Sequence, residues 1–293
     1  MSTFVLLTIT GLGLGAMYFL VASGLSLIYG LMGVLNFAHG AFITVGAYAA
    51  WQVSDEIGGG LGTRLLVATV LGLLVGAVFA GLVELVFIRP LYRRPIEQVL
   101  VTVGLALALG ALVQGIFGSD ARPFPVPAWM IDTTSIFGAS IPNDRFVEIG
   151  VAVAVLVGLS AFLRYTRFGL IIRAGVENRA MVTALGIDVR RAFTLVFALG
   201  GALAALAGVL SGVYFGVVDP SRGTSLLIYA FIVVVIGGFG SIGGSAIAAV
   251  AVALLQQYAN FYASSGTGDL AVVLLLAGVL LVRPGGLAPK VAH

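Results

Sequence analysis

Apolar residues fill most of the chain in long runs, and short polar intervals separate these runs. About 20 consecutive apolar residues are enough for a helix to cross a bilayer. The runs therefore predict an all-α, polytopic helical membrane protein, with one transmembrane domain over residues 1–293. The uninterrupted runs predict spans at residues 4–29, 30–52, 65–88, 99–117, 146–163, 192–217 and 270–282.

A further apolar run, at 226–260, is interrupted by the glycine-rich sequence GGFGSIGG. The arm before the interruption, 226–238, has about 13 residues, or roughly 20 Å of helix, which is short for a crossing. The run predicts either two crossings or a re-entrant segment, because non-helical backbone is tolerated where protein surrounds it. The chain then has about eight or nine membrane segments. The glycines of this break are Gly237, Gly238, Gly240, Gly243 and Gly244.

Arginine is concentrated in a few polar intervals, and its distribution predicts which side each interval faces. Short intervals rich in Lys and Arg remain in the cytoplasm. Residues 164–191 hold six arginines, residues 89–94 hold three, and Arg283 and Lys290 follow the last span. The interval 118–144 holds prolines and acidic residues instead, which predicts an external loop with little regular structure. Counting the crossings then places the N-terminus outside and the C-terminus in the cytoplasm.

Composition excludes several other classes of protein. Apolar residues make up 60% of the chain, charged residues only 9%, and the mean hydropathy is +1.15. Soluble domains carry about 25% charged residues. The net charge of +3 comes from arginines between spans and does not indicate nucleic-acid binding. The absence of cysteine excludes disulfides and thiolate metal sites. No basic residue precedes Arg64, so the N-terminal run is interpreted as the first span and not as a cleaved signal peptide.

The arginine-rich interval 164–191 also contains a predicted short helix. Val176, Ala180, Ala184 and Leu185, with Met181 beside them, draw one apolar stripe at helical spacing. Gly186 is placed to end that helix. A short amphipathic helix between two spans, on the cytoplasmic side, predicts a docking surface for a cytoplasmic partner.

Small residues recur every four positions in two of the predicted spans. Such spacing lets helices approach closely in lipid, where apolar burial alone contributes little to association. The pattern predicts a tightly packed bundle and does not by itself imply transport. The residues are Gly200, Ala204, Gly208 and Gly212 in one span, and Gly72, Gly76 and Ala80 in the other.

Two polar residues, Asn36 and His39, are predicted on one face near the middle of the second span. Polar groups at that depth are costly unless they find partners or line a wet path. They either hydrogen-bond a neighbouring helix or belong to a translocation path; Gly33 and Gly40, with Gly30, favour the path because they loosen the helix. A metal site is disfavoured, since His293 is the only other histidine.

The remaining intramembrane polar residues have ordinary structural interpretations. Glu84, near the cytoplasmic end of the third span, is expected to pair with Arg89 or to extend towards the interface. Gln114, Gln256 and Gln257 are expected to form hydrogen bonds between helices.

The chain is not expected to be an enzyme or to carry a cofactor. It has a single lysine and no G-x-x-x-x-G-K-[ST] sequence, so it lacks a P-loop of its own. No nucleophile–base pair or metal-ligand cluster is evident. If ATP drives this protein, a separate subunit must hydrolyse it.

Several long segments resemble the permeases of branched-chain amino-acid ABC importers of the Liv type. The segments are GLSLIYGLMGVLNFAHGAFITVGAY, RAGVENRAMVTALGIDVRRAFTLVFALGGALAALAGVL, GGFGSIGGSAIAA and RPGGL. The resemblance extends over nearly the whole chain, in the family's order. The resemblance implies a type II importer permease in a bacterial inner membrane. Its implied partners are a second, homologous permease subunit, two cytoplasmic ATPase subunits and an external solute-binding protein.

The same resemblance implies that the family's ATPase-coupling helix falls on residues 176–187. The coupling residues are then Glu177, Asn178, Arg179, Ala180, Ala184 and Gly186. This position agrees with the docking helix predicted from periodicity and charge. The implied mechanism is alternating access, in which ATP binding moves the coupling helices and the spans reorient around a central path.

The sequence leaves more than one possibility for the substrate and for the class of transporter. The lack of unpaired charge at mid-membrane suits a solute of no net charge, and we expect branched-chain or other apolar amino acids. Urea or a short amide fits equally well on charge alone. A stand-alone secondary carrier or channel is the rival class, although a coupled carrier needs an ionisable midplane group and only His39 is available. A membrane scaffold would leave Asn36 and His39 unexplained.

Overall fold

The computed structural model describes residues 2–33, 35–92, 94–177, 179–186 and 188–287, without the side chains of 31, 176, 177, 179 and 180. Helices dominate the described residues, as the apolar runs predict. The helices are α1 (Ser2–Met32), α2 (His39–Glu56), α3 (Leu61–Val83), α4 (Pro95–Phe117), α5 (Ala128–Ile131), α6 (Asp144–Tyr165), α7 (Arg167–Glu177), α8 (Arg179–Ala184), α9 (Val189–Phe215), α10 (Arg222–Gly237), α11 (Ile242–Tyr262) and α12 (Thr267–Val282).

Within the described part of the chain, six helical segments are long and apolar enough to cross a membrane. Two further helices, α10 and α12, are also apolar but shorter. The segments are Ser2–Gly30, Leu61–Leu91, Pro95–Phe117, Asp144–Tyr165, Val189–Phe215 and Ile242–Tyr262.

Helix α9 lies at the centre of the bundle and packs against α1, α2 and α3. The predicted small-residue contacts are present here, because Gly200 and Gly208 are buried where neighbouring backbones approach. A Cβ placed on Gly200 would lie 2.6 Å from Cδ1 of Ile28 in α1. On α3, a Cβ on Gly76 would lie 2.7 Å from the carbonyl oxygen of Gly201. Glycine therefore sets the distances between the central helices.

The two ends of the bundle differ in composition. The loop end carries residues 118–143, and β1 (Arg122–Pro123) pairs there with β4 (Val217–Val218). The start of α1 lies at this end, since a Cβ on Gly138 would be 4.0 Å from Cβ of Ser2. The arginine end carries α7 and α8, and α7 packs on α1 and α9.

The prediction that residues 118–144 lack regular structure is wrong. Strands β2 (Thr133–Ile136) and β3 (Ala139–Pro142) form an antiparallel hairpin, and α5 precedes it. The two residues of its turn, Phe137 and Gly138, have φ of 48° and 78°, the left-handed pair typical of tight hairpins. The two strands are short, and four prolines lie near them in the sequence. Prolines at this density predict an irregular loop, so the strands were not recognised.

The second predicted span, 30–52, is also wrong in its form. Helix α1 continues to Met32, the chain leaves helical geometry, and α2 begins only at His39. Gly33 has φ of 67°, a left-handed conformation that ends α1 without strain. Asn36 therefore lies in a non-helical break, not three residues before His39 on one helical face.

Candidate translocation site

Two breaks interrupt the helices, and the second packs against the last residues of α1, just before the first. The first lies between α1 and α2, at residues 33 and 35–38, and the second is 238–241, between α10 and α11. The ring of Tyr29, beside the first break, lies 4.3 Å from that of Phe239 in the second. A Cβ on Gly30 would lie 3.0 Å from Cα of Gly240. Ends of broken helices free backbone groups, so each break is a place where polar groups can be held inside the bundle.

Asn36 is fully buried in the first break. Neither its Oδ1 nor its Nδ2 has a hydrogen-bond partner. Its neighbour Phe37 packs against Phe231 of α10, with ring centroids 5.0 Å apart. Leaving one buried polar group unpaired costs about 1–3 kcal/mol. A side chain kept there with two unpaired groups is well placed to bind a polar ligand.

His39, the first residue of α2, is also fully buried. Its Nε2 lies 3.1 Å from the carbonyl oxygen of Val21 in α1. Because that oxygen can only accept, Nε2 carries the proton and donates. Nδ1 has no partner and is left as an acceptor. One ring nitrogen thus anchors α2 to α1, and the other remains available to a donor.

The glycines predicted around these residues have different roles. Gly33 has a left-handed backbone conformation that redirects the chain, and no atom lies within 4 Å of a Cβ added there. Gly40 is a packing residue, since its Cβ would lie 2.9 Å from the carbonyl oxygen of Gly223 in α10. In the second break, Gly238 and Gly240 have φ of 95° and 80°.

Gly237 and Gly244, at the two ends of that break, lie against each other. A Cβ on Gly237 would be 2.6 Å from the carbonyl carbon of Gly244. Gly243 differs, because open space surrounds it. The predicted glycine break therefore combines a turn with a close helix crossing.

Sequence reasoning missed a polar network that joins α1, α10, α11 and α12 and runs from the buried Tyr18 to the exposed Asp269. The hydroxyl of Tyr18 donates to Oε1 of Gln256 at 2.7 Å. Nε2 of Gln256 donates to Oδ1 of Asp269 at 2.7 Å, and the Tyr229 hydroxyl donates to the same oxygen at 2.7 Å. Only Gln256 was predicted as an interhelical partner.

The other two glutamines were assigned the same role. Gln257 forms the predicted hydrogen bond between helices, because its Nε2 donates to Oγ1 of Thr10 at 3.1 Å. Gln114 is exposed on α4, so the prediction of an interhelical hydrogen bond within this chain is wrong for that residue.

Glu84 is fully buried at the arginine end, and the predicted pairing with Arg89 is present at 3.5 Å. The carboxylate also accepts from the Thr194 hydroxyl at 2.7 Å and from the hydroxyl of Tyr92. Burial, more than this hydrogen bond, raises the pKa of Tyr92, so the phenol stays a neutral donor. A π-helical turn, Glu84–Ile88, turns Glu84 inward instead of towards the interface.

The predicted docking helix is divided between α7 and α8. Asn178 lies outside the described residues, as do the side chains of Glu177, Arg179 and Ala180. Met181 and Leu185 are 61% and 68% exposed, and Ala184 is exposed beside them, while Val182 is buried against the bundle. Gly186 has φ of 79°, which fits a helix end.

No group of three His, Asp or Glu side chains that could hold a metal ion occurs among the residues with described positions. The candidate site consists of the side chains of Asn36 and His39, in and beside the first break, within a bundle of apolar spans. This combination defines a polytopic membrane protein of the transport class.

Comparison with known proteins places the chain within that class. Residues 7–283 match the family model described as branched-chain amino acid transport system / permease component, and the chain belongs to this family. It is 31% identical over 287 residues to the high-affinity branched-chain amino acid transport system permease protein LivH of Escherichia coli K12, covering 94% of this chain and 92% of LivH. The resemblance to Liv-type permeases is thus confirmed.

A second relative agrees with this assignment, and a solved structure is similar in fold. The chain is 29% identical to the corresponding permease protein BraD of Pseudomonas aeruginosa, covering 95% of this chain and 94% of BraD. PsaBC from Streptococcus pneumoniae, solved in complex with Fab, superposes with a TM-score of 0.50 at 17% identity, covering 96% of this chain and 91% of that one. This last similarity concerns the fold alone.

Proposed function

We propose that this chain is the permease subunit of an ATP-binding-cassette importer and forms the translocation path for branched-chain amino acids. Membership of the permease family and the names of LivH and BraD support this proposal. The observation that carries it within the molecule is the first break, where the buried side chains of Asn36 and His39 hold three polar atoms without partners. A path for a solute needs such groups, whereas a structural bundle would pair them.

The solute is proposed to be a branched-chain or other apolar amino acid. Aromatic rings of Tyr29, Phe37, Phe231 and Phe239 surround the breaks, which suits an apolar side chain. Urea and short amides lack such a side chain. Uptake of labelled L-leucine and labelled urea into vesicles containing the complete importer compares them directly; preferential urea uptake would contradict this assignment.

The assembly is proposed to contain a second, homologous permease, two cytoplasmic ATPases and an external solute-binding protein. The absence of a P-loop in this chain supports separate ATPase subunits. Uptake that requires ATP and the added ATPases supports the importer. Uptake by this chain alone would support the stand-alone carrier or channel instead.

We infer a bacterial inner-membrane topology of about nine crossings, of the type II importer kind. The start of α1 shares the loop end with residues 118–143, and α7 and α8 form the opposite end. Six arginines in 164–191 favour the cytoplasm for that opposite end. The end of α12 lies there too, since the amide of Leu287 donates to the carbonyl oxygen of Ile236 at 2.8 Å. The C-terminus is therefore proposed to be cytoplasmic.

Helix α8 is proposed as the contact with an ATPase subunit. Met181 and Leu185 present apolar surface in an interval that is otherwise rich in arginine. Exposed apolar side chains with a charged surrounding are typical of protein interfaces. The path and α8 connect through α9, which begins just after α8 and reaches the centre of the bundle. Movement of the ATPases would thereby shift the equilibrium between inward-open and outward-open states.

Replacing these two side chains with charge tests the contact. We expect Met181→Asp with Leu185→Asp to reduce co-purification of the ATPase subunits at least fivefold, because a desolvated interface does not accept unpaired carboxylates. Phe137→Asp is the matched control: Phe137 is 85% exposed, but at the loop end. Mass spectrometry of the purified membrane complex measures the recovery. Equal recovery from the two variants would contradict the assignment of α8.

A further inference from the structure

A separate cavity lies at the loop end, away from the two breaks. It has a volume of about 470 Å³, within the usual range of about 300–1,000 Å³ for small-molecule sites. Three segments enclose it: 124–131 before the hairpin, 142–145 at the start of α6, and 213–216 at the end of α9. We call it the outer cavity.

The polar wall of the outer cavity belongs to a cluster of two carboxyl groups and one guanidinium. Asp144 and Arg145 line it, and NH1 of Arg145 lies 3.0 Å from Oδ2 of Asp144. Directly behind them, Oε2 of Glu148 lies 3.7 Å from the same nitrogen. The ring of Tyr214 covers one face of the guanidinium at 3.3 Å. One cation thus serves two carboxylates.

Several oxygens of these carboxylates have no hydrogen-bond donor. Asp144 is more than nine-tenths buried, and its Oδ1 has no partner. Glu148 is fully buried, and neither of its oxygens accepts a hydrogen bond. A buried ion pair that served only stability would have its oxygens satisfied, because each unsatisfied charged group is costly. The cluster is therefore suited to receive a cationic donor from outside the chain.

The other walls are apolar. Phe124, Val126, Met130 and Val213 line the cavity beside the charged cluster. A small ligand that satisfied both walls would carry an ammonium group and an aliphatic or aromatic side chain. Nε of Arg145 is buried without a partner and could donate to a carboxylate on the same ligand. An apolar α-amino acid has all three features.

We propose that the outer cavity is a binding site for an apolar amino acid, which is held by its ammonium group on Asp144 and by its side chain against Phe124, Val126 and Val213. The proposal rests on the proposed transport function and adds a site that the solute meets before the breaks. It predicts that recognition of the zwitterion takes place in the permease at the loop end.

The absence of cysteine from the chain permits a test that does not depend on transport. Val126→Cys places a single thiol in the cavity wall, and Ser135→Cys places one on the exposed hairpin as the matched control. The complete importer is reconstituted in phosphatidylcholine vesicles and reacted with a membrane-impermeant maleimide. We expect L-leucine to slow modification at position 126 at least threefold and to leave the rate at position 135 unchanged.

A leucine analogue tests the contribution of the ammonium group without a further change to the protein. We expect 4-methylpentanoate, which lacks the amine of leucine, to give no protection at position 126. Equal protection by that compound, or none by leucine, would overturn the proposal. Protection by added phosphatidylethanolamine without leucine would assign the cavity to a lipid amine and would also overturn it.

A charge variant tests Asp144 directly. In the Val126→Cys background, Asp144→Asn is expected to raise the leucine concentration for half-protection about tenfold or more, because the ammonium group then binds a neutral amide oxygen instead of a carboxylate. Asp132→Asn, on the exposed loop, is expected to leave it unchanged. An unchanged value for Asp144→Asn would contradict the assigned contact.

Uptake of labelled leucine, measured in the same vesicles, separates the two proposals. Uptake without protection would overturn the outer site and leave the transport function standing. Protection without ATP-dependent uptake would support the site and overturn the importer function.

Discussion

Gly208→Val is expected to destabilise the folded protein by about 3 kcal/mol or more, at the upper end of overpacking effects. A Cβ at this position would lie 2.1 Å from the carbonyl oxygen of Ile43 and 3.0 Å from its carbonyl carbon. These are backbone atoms of α2, so no side-chain rotation relieves the contact. Helices α2 and α9 must separate, which opens the packing around the first break. The melting temperature of the purified protein in detergent measures the effect.

Gly110→Val on α4 is the matched control for this substitution. No atom lies within 4 Å of a Cβ added at Gly110, so the added methyl groups meet no protein neighbour. The two variants make the same chemical change in helical backbone, and the propensity effect is common to both. Similar melting temperatures for both variants would show that the close approach of α2 and α9 is not needed for stability.

Asn36→Leu is expected to reduce leucine uptake by roughly a hundredfold, the effect of losing two hydrogen bonds to a ligand at about 1.5 kcal/mol each. The same change is expected to leave the melting temperature unchanged or slightly higher. Asn36 is fully buried, and its side-chain amide has no partner. The leucine side chain at this position removes the unpaired polar groups and keeps a similar shape. ATP-dependent uptake and thermal unfolding, measured on the same preparation, check both parts.

Gln257→Leu is the control for a polar side chain with a structural role. Gln257 donates to Thr10, so its loss is expected to lower stability by about 1 kcal/mol while uptake per folded protein is retained. The reverse pattern at Asn36, with stability lost and uptake preserved, would assign Asn36 to packing between helices. That pattern would remove the central observation behind the proposed path.

Much of the fold could be predicted because the bilayer constrains it strongly. The predicted spans 99–117 and 146–163 lie within α4 and α6, whose apolar length alone identifies them. The close packing at Gly208 and Gly76 also followed from four-residue spacing. The hairpin at 133–142 could not be predicted, because its register depends on left-handed geometry at Phe137 and on pairing between short segments.

The candidate site could be predicted only in part. Asn36 and His39 stood out because polar residues are rare in an apolar span. Their placement was wrong, since a continuous apolar run does not reveal that Gly33 ends α1. Asp269 was missed because it lies at the start of α12, where a charged residue ordinarily faces water, although Gln256 and Tyr229 donate to it.

By itself, the sequence determined the membrane class, the positions of most long apolar helices and the family. Each of these depends on local composition, on periodicity or on an ordered set of long segments. The tertiary structure alone decided that the second break packs against the end of α1 at Tyr29 and that Asp144, Arg145 and Tyr214 share one cavity. Such contacts join residues distant in the chain, and their formation depends on how helices cross, which the glycines permit but do not specify.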